Sequence, residues 1–179
     1  STSTSAYVRN TDANSAVQGV SNNSYLEVTN ATGTAEVTFE IPQILAGKYD
    51  VYVDFVPPVI DGVALAEEKT RLEFRLVYPR ADKNGTANIS RDDDDDPDLI
   101  IGGDSVGDNK VKTLKVWEAL ELPAANYYDG MWFMDEDNST DDVKVRTTFR
   151  IRTNVKAPEV NVKYRRRFRV DRIRFVPVP

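Results

Sequence analysis

A short stretch of aromatic and polar residues carries the side chains best suited to binding. Aromatic rings offer large flat surfaces on which the C–H faces of sugars stack, and nearby carboxylates or amides can bind the sugar hydroxyls. Three rings fall between residues 127 and 132, and one more lies upstream on a predicted strand. The predicted ligand-binding set is Trp117, Tyr127, Tyr128, Asp129 and Trp132.

The same rings also allow a purely structural interpretation. Aromatic side chains are good core material, so a loop over residues 123–142 can fold across an open end of the protein and bury its own rings as a lid. Trp117 falls on the polar face of its predicted strand, which would leave its ring free to join the others. Both interpretations stay open from the sequence.

Acidic residues provide the second candidate site. Asp135, Asp137 and Ser139 imitate the first ligands of a calcium loop, and Ca²⁺ prefers several oxygen ligands. Thr140 and Arg146 stand where such a loop carries glycine and glutamate. A run of acids is also typical of a solvated loop, as in Asp92–Asp96. The sequence therefore predicts no cofactor, with Ca²⁺ kept as the alternative.

Composition narrows the chemistry further. The 179 residues include neither histidine nor cysteine, which removes the commonest general base, the commonest transition-metal ligand and any thiolate. A hydrolase here would need a pair of carboxylates, and among 29 acids such a pair always exists. We therefore expect a protein that is not an enzyme, with a carboxylate-only hydrolase as the weaker alternative.

Charge is unevenly spread along the chain. The net charge is −6, yet 12 of the 23 Lys and Arg residues and only 2 of the 29 acids lie from Val143 onward. Cross-strand pairing favours basic strands beside acidic ones within a sheet. The alternative is a basic face for phosphate or sulfated glycans, while the overall acidity argues against a nucleic acid as partner.

The elements that would position these residues are strands. Ala35–Phe55 is predicted to form a β-hairpin, because alternate residues on both arms are apolar. Pro42 ends the first arm and Gly47 begins the second. The residues expected to be buried are Val37, Phe39, Ile41, Tyr49, Val51, Val53 and Phe55.

Further alternating segments complete the predicted fold. They are Tyr25–Val28, Arg71–Tyr78, an edge strand at Leu99–Ile101, Lys112–Leu122 with a bulge near Trp117, Val143–Arg152 and Phe168–Val176. At least seven strands separated by turns predict an all-β, antiparallel β-sandwich of the jelly-roll type. Two long loop insertions, 79–110 and 123–142, interrupt it.

The expected domain organisation is simple. Residues 1–22 are rich in Ser, Thr and Asn and predict a linker or irregular lead-in with at most one short strand, and residues 23–179 predict a single sandwich domain. No apolar run is long enough to span a membrane. The chain carries no signal peptide, so any export signal is expected upstream.

The strand order and several core residues resemble a known family. The segments EIPQILAGKYDVYVDFVP and VDRIRFVPV place Gly47, Tyr49, Asp171, Ile173 and Phe175 as in galactose-binding-like jelly rolls, which include many carbohydrate-binding modules. The first segment also looks like domains of surface lipoproteins in gut Bacteroidetes, beside glycan-capture or fasciclin-type adhesion modules.

This resemblance implies a function and a location. The chain would be a non-catalytic carbohydrate-binding or adhesion module at the extracellular or outer-membrane surface of a bacterium. Its partner would be a glycan or a neighbouring domain of the same parent chain. In the resembling fold Asp171 is a strand-register residue near the end of the sheet. The alternative is a structural spacer that binds no small molecule.

Overall fold

The computed structural model describes residues 4–10, 18–41, 44–57, 59–60, 63–64, 69–79, 86–91, 100–101, 110–122, 132–133, 143–144, 147–156, 160 and 164–179. A 3-10 turn at Ser21–Asn23 directly precedes the strand at Ser24–Thr29. The strands are β1 Ser5–Asn10, β2 Ser24–Thr29, β3 Glu36–Ile41, β4 Gly47–Phe55, β5 Val59–Ile60, β6 Val63–Ala64, β7 Thr70–Pro79, β8 Thr86–Arg91, β9 Ile100–Ile101, β10 Lys112–Leu122, β11 Trp132–Phe133, β12 Val143–Lys144, β13 Thr147–Thr153 and β14 Arg167–Val178.

Two antiparallel sheets pack face to face, which confirms the all-β sandwich. Sheet 1 has the order β1-β2-β14-β4-β10, and sheet 2 has the order β3-β13-β7-β8 with β9 added beside β7. Two short ribbons, β5–β6 and β11–β12, stand apart from these sheets. Within the described ranges, no helix has both the length and the apolar character needed to cross a membrane.

The core lies between the two sheets and is built from alternate residues of the long strands. Phe55 of β4 contacts Phe74 of β7 with ring centroids 6.4 Å apart, and Phe149 of β13 contacts Phe175 of β14 at 6.4 Å. Each pair joins one sheet to the other, so period-two alternation identified the buried faces. The fully buried apolar side chains include Val51, Val53, Phe55, Leu72, Phe74, Leu76, Phe149 and Ile151.

The predicted hairpin at Ala35–Phe55 is wrong, because its two arms lie in opposite sheets. β3 pairs with β13, so that Phe39 lies opposite Phe149, whereas β4 pairs with β14 and β10. Alternation shows that one face of a strand is buried, but it does not identify the hydrogen-bonding neighbour. The residues between Ile41 and Gly47 are enough to cross the ~10 Å between packed sheets.

Two further predictions differ from the structure, because the predicted loop insertion 79–110 contains β8, which pairs with β7, and the predicted strand Val143–Arg152 is divided between β12 and β13. The remaining strand predictions agree with it. β10 has the predicted bounds, and its register shifts on both sides of Trp117, where a bulge was expected. The predicted edge strand is β9, paired with the start of β7. β14 continues past its predicted end at Val176 through Pro177 to Val178. Proline is tolerated there because β2, the neighbour of β14 on the other side, pairs only as far as Val170.

The N-terminal region contributes to sheet 1. The short strand allowed within residues 1–22 is β1, and all six of its residues pair with β2. The turn after β2 is closed by Asn30, whose Oδ1 accepts hydrogen bonds from the backbone N–H groups of Thr32 and Gly33. This local side-chain bond is the usual reason for asparagine at such a turn.

Candidate functional site

The ends of four strands, β3, β4, β10 and β13, lie at one end of the sandwich, which we call the loop rim. Ile41 pairs with Thr147 at the ends of β3 and β13, and Gly47 pairs with Leu122 at the ends of β4 and β10. Residues 123–146 therefore leave sheet 1 and enter sheet 2 at this same rim. Every predicted binding residue except Trp117 lies within that connection.

The β11–β12 ribbon places Trp132 near the loop rim. Trp132 pairs with Lys144, and Phe133 pairs with Val143. Three residue steps separate Lys144 from Thr147, so their Cα atoms are at most about 11 Å apart. Paired Cα atoms add about 5 Å. The backbone of Trp132 thus lies within about 16 Å of the rim.

The side chains of the predicted binding loop lie outside the described residues. This holds for Tyr127, Tyr128 and Asp129, and for the ring of Trp132. Their roles in ligand binding stay predictions.

Trp117 does not lie on the polar face of β10, contrary to the sequence prediction. Its ring is half-buried and makes an edge contact with Phe149, with centroids 5.7 Å apart and planes at 86°. The neighbouring Val116 is also buried. A bulge allows two successive residues to face the same side of a sheet, which accounts for the inward ring. A role of Trp117 in ligand binding stays a prediction that rests on the exposed part of the ring.

The calcium prediction also falls outside the described residues, because Asp135, Asp137 and Ser139 belong to 134–142. Among the residues that the structure does describe, no group of three or more acids is placed to hold a metal ion. Calcium binding by the predicted residues therefore stays a prediction.

The arch between β3 and β4 forms an ordered part of the loop rim. The Tyr49 hydroxyl donates a hydrogen bond of 2.8 Å to the backbone carbonyl of Leu45, whose side chain is 63% exposed. Gly47 has φ of 153°, and a Cβ at this position would lie 3.6 Å from the Tyr49 ring. That distance is an ordinary van der Waals contact, so the backbone conformation is what favours glycine here.

The outer face of sheet 1 carries a buried carboxylate, at a position where the alternation along β4 indicates an exposed side chain. The side chain of Asp54 is 0% exposed, because Arg172, Arg174 and Thr113 cover it and donate hydrogen bonds to its oxygens. Arg174 Nη2 lies 3.0 Å from Asp54 Oδ1. The signal in the sequence was an acid between Val53 and Phe55 on a strand whose partner carries arginines at alternate positions.

These contacts shift the pKa values of the network in opposite directions. Burial raises the pKa of Asp54, but the hydrogen bonds from Arg174, Thr113 and Arg172 together outweigh it, so the pKa lies below the ordinary 3.8. The hydrogen bond to Asp54 raises the pKa of Arg172 above its ordinary value. Asp54 is therefore ionised at neutral pH, and its charge is matched by the two guanidinium groups.

A second pair beside Asp54 extends the network across sheet 1. Lys115 Nζ lies 2.8 Å from Asp50 Oδ2, and the backbone N–H of Ala119 in the bulge donates to Asp50 Oδ1 at 2.9 Å. These bonds lower the pKa of Asp50, the largest contribution being that of Lys115, and raise the pKa of Lys115. Arg174 and Lys115 both stack over the Tyr52 ring, at 5.0 and 5.5 Å from its centroid.

Sheet 2 uses the same arrangement around Glu73. This nearly buried carboxylate receives Arg150 at 3.1 Å and also pairs with Arg152, both from β13. The prediction that basic strands pair with acidic ones is thus confirmed for Asp50, Asp54 and Glu73. The basic side chains of these ion pairs lie on the outer faces of the two sheets.

Asp171 sits at the bulge between Val170 and Arg172, where the register of β14 against β4 shifts. Its carboxylate is fully covered and accepts hydrogen bonds from the backbone N–H and the hydroxyl of Ser21, at 2.8 and 3.0 Å. These bonds fasten the N-terminal region to the last strand. Asp171 is therefore engaged by the protein itself.

Comparisons with known proteins add no family to this description. No protein-family model, no curated protein and no solved structure matches the chain. The structure itself shows an all-β sandwich of two antiparallel sheets. The kinship with galactose-binding-like jelly rolls stays a prediction.

Proposed function

We propose that this chain is a non-catalytic carbohydrate-binding or adhesion module of a bacterial cell-surface protein, related to the galactose-binding-like jelly rolls. The observation that supports the proposal is the position of the aromatic connection. Residues 123–146 begin and end at the loop rim, on strands whose apolar faces pack in the core. Binding residues are commonly held in this way, on loops carried by a rigid scaffold.

The proposed site works by stacking and hydrogen bonding. The rings of Tyr127, Tyr128 and Trp132 receive the apolar face of a sugar, and Asp129 accepts hydrogen bonds from its hydroxyls. Calcium held by Asp135, Asp137 and Ser139 would order the same loop. The parent protein would carry the module on the extracellular or outer-membrane surface.

A glycan array with the purified protein tests the proposal. Trp132→Ala is expected to weaken binding by about 30-fold, since a tryptophan anchor typically contributes about 2 kcal/mol. Tyr7→Ala is the control, because it removes an exposed ring of the edge strand β1 that is outside the predicted binding set, and it should bind as the wild type does. A blank array, or binding that survives the double variant Tyr127→Ala and Trp132→Ala, would count against a glycan site in this loop.

The second candidate is a structural spacer domain without a small-molecule ligand. β1 begins at Ser5 beside Thr29, whereas β14 ends at Val178 beside Lys48, so these ends lie at opposite rims of the sandwich. This arrangement suits a domain placed in series with others. The packing of Trp117 in the core favours it too.

Tryptophan fluorescence separates the two functions. In Trp117→Phe the remaining tryptophan is Trp132, so acrylamide quenching reports on the loop alone. The glycan-binding function predicts fast quenching that slows when a sugar identified on the array is added. The spacer function predicts slow quenching that no glycan changes.

A further inference from the structure

Within the residues that the structure describes, part of the long strand β14 has no strand partner on one side. β14 pairs with β4 from Val170 to Val178, but with β2 only from Arg167 to Val170. Among the described strands, none pairs with 171–178 on the side away from β4. An unpaired strand edge presents backbone N–H and C=O groups that an added extended chain can bind.

A cleft opens beside this edge, between the two sheets. Its volume is about 390 Å³, and its walls come from the start of β2, from β14 just past the last residue paired with β2, and from the edge strand β3 of sheet 2. The apolar lining residues are Leu26, Phe39, Ile41, Val170 and Ile173. A cleft of this kind can accept apolar side chains that point inward from a strand along the edge.

The covered part of the same edge shows which side chains fit it. In β2, Val28 and Leu26 face the core opposite Phe168 and Val170. Glu27 lies between them on the outer face, opposite Arg169, with 2.8 Å between Glu27 Oε2 and Arg169 Nε. The paired part of β2 thus places one acidic residue, between two apolar ones, opposite an arginine of β14.

The free part of the edge repeats this pattern. Ile173 and Phe175 pack against the core, while Arg172 and Arg174 stand on the outer face and remain 50% and 36% exposed above Asp54. Opposite charges directly across two strands stabilise the pair, and like charges destabilise it. An acidic residue opposite each arginine, with an apolar residue between them, would extend the interaction made by β2.

We propose that the edge of β14 from Arg172 to Val176 binds an extended peptide segment, which adds as a strand to sheet 1. The segment alternates apolar and acidic residues, inserts its apolar side chains into the cleft and places its carboxylates against Arg172 and Arg174. This site adjoins the loop rim at Ile41, but it binds through strand pairing and does not depend on glycan binding.

The test uses the full chain and a blocked, dye-labelled peptide, Thr-Val-Glu-Val-Glu-Val-Thr, with fluorescence anisotropy. We expect saturable binding that is at least about fivefold weaker when both glutamates are lysine, because both cross-strand pairs become repulsive. Two further peptides carry N-methyl groups, one on its valine nitrogens and the other on its glutamate nitrogens. Only one of the two should lose binding, because alternate N–H groups of an added strand face β14 and the others face away from it.

Variants of the protein locate the site. Ile41→Lys places a charge at the cleft and should weaken peptide binding at least about fivefold, since an unpaired charge in an apolar site is unfavourable. Thr38→Lys, at an exposed position of the same strand, is the matched control and should leave binding unchanged. Amide chemical shifts of the wild type should change at 39–41 and 172–176 on titration.

Three outcomes would overturn the proposal. The first is the absence of saturable binding at millimolar peptide, and the second is equal binding of the glutamate and lysine peptides. The third is sedimentation equilibrium showing that the protein is a dimer and that the peptide separates its subunits, because a second copy would then be the natural occupant. The peptide comparisons use the wild-type protein, so they decide the matter even if Ile41→Lys does not fold.

Discussion

At the residue scale, the most informative side chain is Asp54. It is a carboxylate with no exposed surface on the outer face of a sheet, and it is shielded by its own hydrogen-bond donors. The aliphatic stems of arginine commonly cover neighbouring groups while the guanidinium stays in contact with water. The ion pairs with Asp54 hold Arg172 and Arg174 in place, and both arginines lie on the part of β14 proposed to bind a peptide.

Replacement of Asp54 should reveal its share of the stability. Asp54→Asn is expected to lower the free energy of unfolding at pH 7 by about 2 kcal/mol, because two guanidinium groups lose their charged acceptor. Urea denaturation followed by circular dichroism measures this. Glu121→Gln, an exposed acid on β10, is the control and should stay within about 0.5 kcal/mol of the wild type.

The same pair of proteins predicts a pH dependence with a definite sign. The pKa of Asp54 is lower in the folded state than its ordinary value, so its contribution is present above about pH 4, where the unfolded carboxyl is ionised. The contribution is lost as the pH falls through the lowered value. The stability difference between wild type and Asp54→Asn should therefore shrink below pH 4; a difference that grew would contradict this assignment.

Residue patterns predicted burial better than they predicted exposure. The alternating apolar residues of β4, β7 and β13 are buried as expected, because the hydrophobic effect acts on each side chain wherever its strand pairs. Asp54 lies on the outer face that alternation indicates but is buried there, and Trp117 faces inward against the prediction, since the surroundings of both depend on pairing with other strands. Arg172 covers the first, and a bulge turns the second inward.

At the element scale, the arch between β3 and β4 is the feature that local sequence did not reveal. A hairpin and an arch demand the same alternation and the same break at Pro42 and Gly47. The difference lies in the partner strands β13 and β14, which are more than 90 residues further along the chain than β4. Such pairing is specified by the complete set of strands.

Engineered cysteines distinguish the arch from a hairpin, and the chain has no other cysteine to interfere. Thr38 and Arg150 are cross-strand partners in sheet 2, so the double variant Thr38→Cys and Arg150→Cys should form a disulfide under mild oxidation. The control, Thr38→Cys with Asp50→Cys, joins opposite sheets and should keep both thiols free. Mass spectrometry after thiol labelling gives the result, and cross-linking of the control alone would favour the hairpin.

At the scale of the whole molecule, the last strand completes sheet 1. β14 lies between β2 and β4, and its Phe168 and Val170 belong to the core. Removal of residues 167–179 should therefore abolish the cooperative urea transition measured by tryptophan fluorescence. Removal of 1–10, which deletes the edge strand β1, should keep a cooperative transition at a lower urea midpoint. A cooperative transition without β14 would contradict this account of the sheet.

The fold class was accessible from the sequence and the candidate site was accessible only in part. Strand periodicity and turn residues sufficed for an all-β sandwich, since these are local signals. The sequence also singled out the aromatic connection, and the structure adds that it spans the loop rim. The cleft beside β14 could not be predicted, because it exists only where the pairing of β2 with β14 stops, next to the edge strand β3 of sheet 2.

The loop rim also makes this sandwich a scaffold for exchange of the segment that connects β10 to β13. The chain leaves at Leu122 and returns at Thr147, and each of these residues is held by a paired strand and is buried. What lies between them can vary in length and composition while the two anchor points stay fixed. Grafting a randomised library between these residues, followed by display and selection, would turn the domain into a source of new binders.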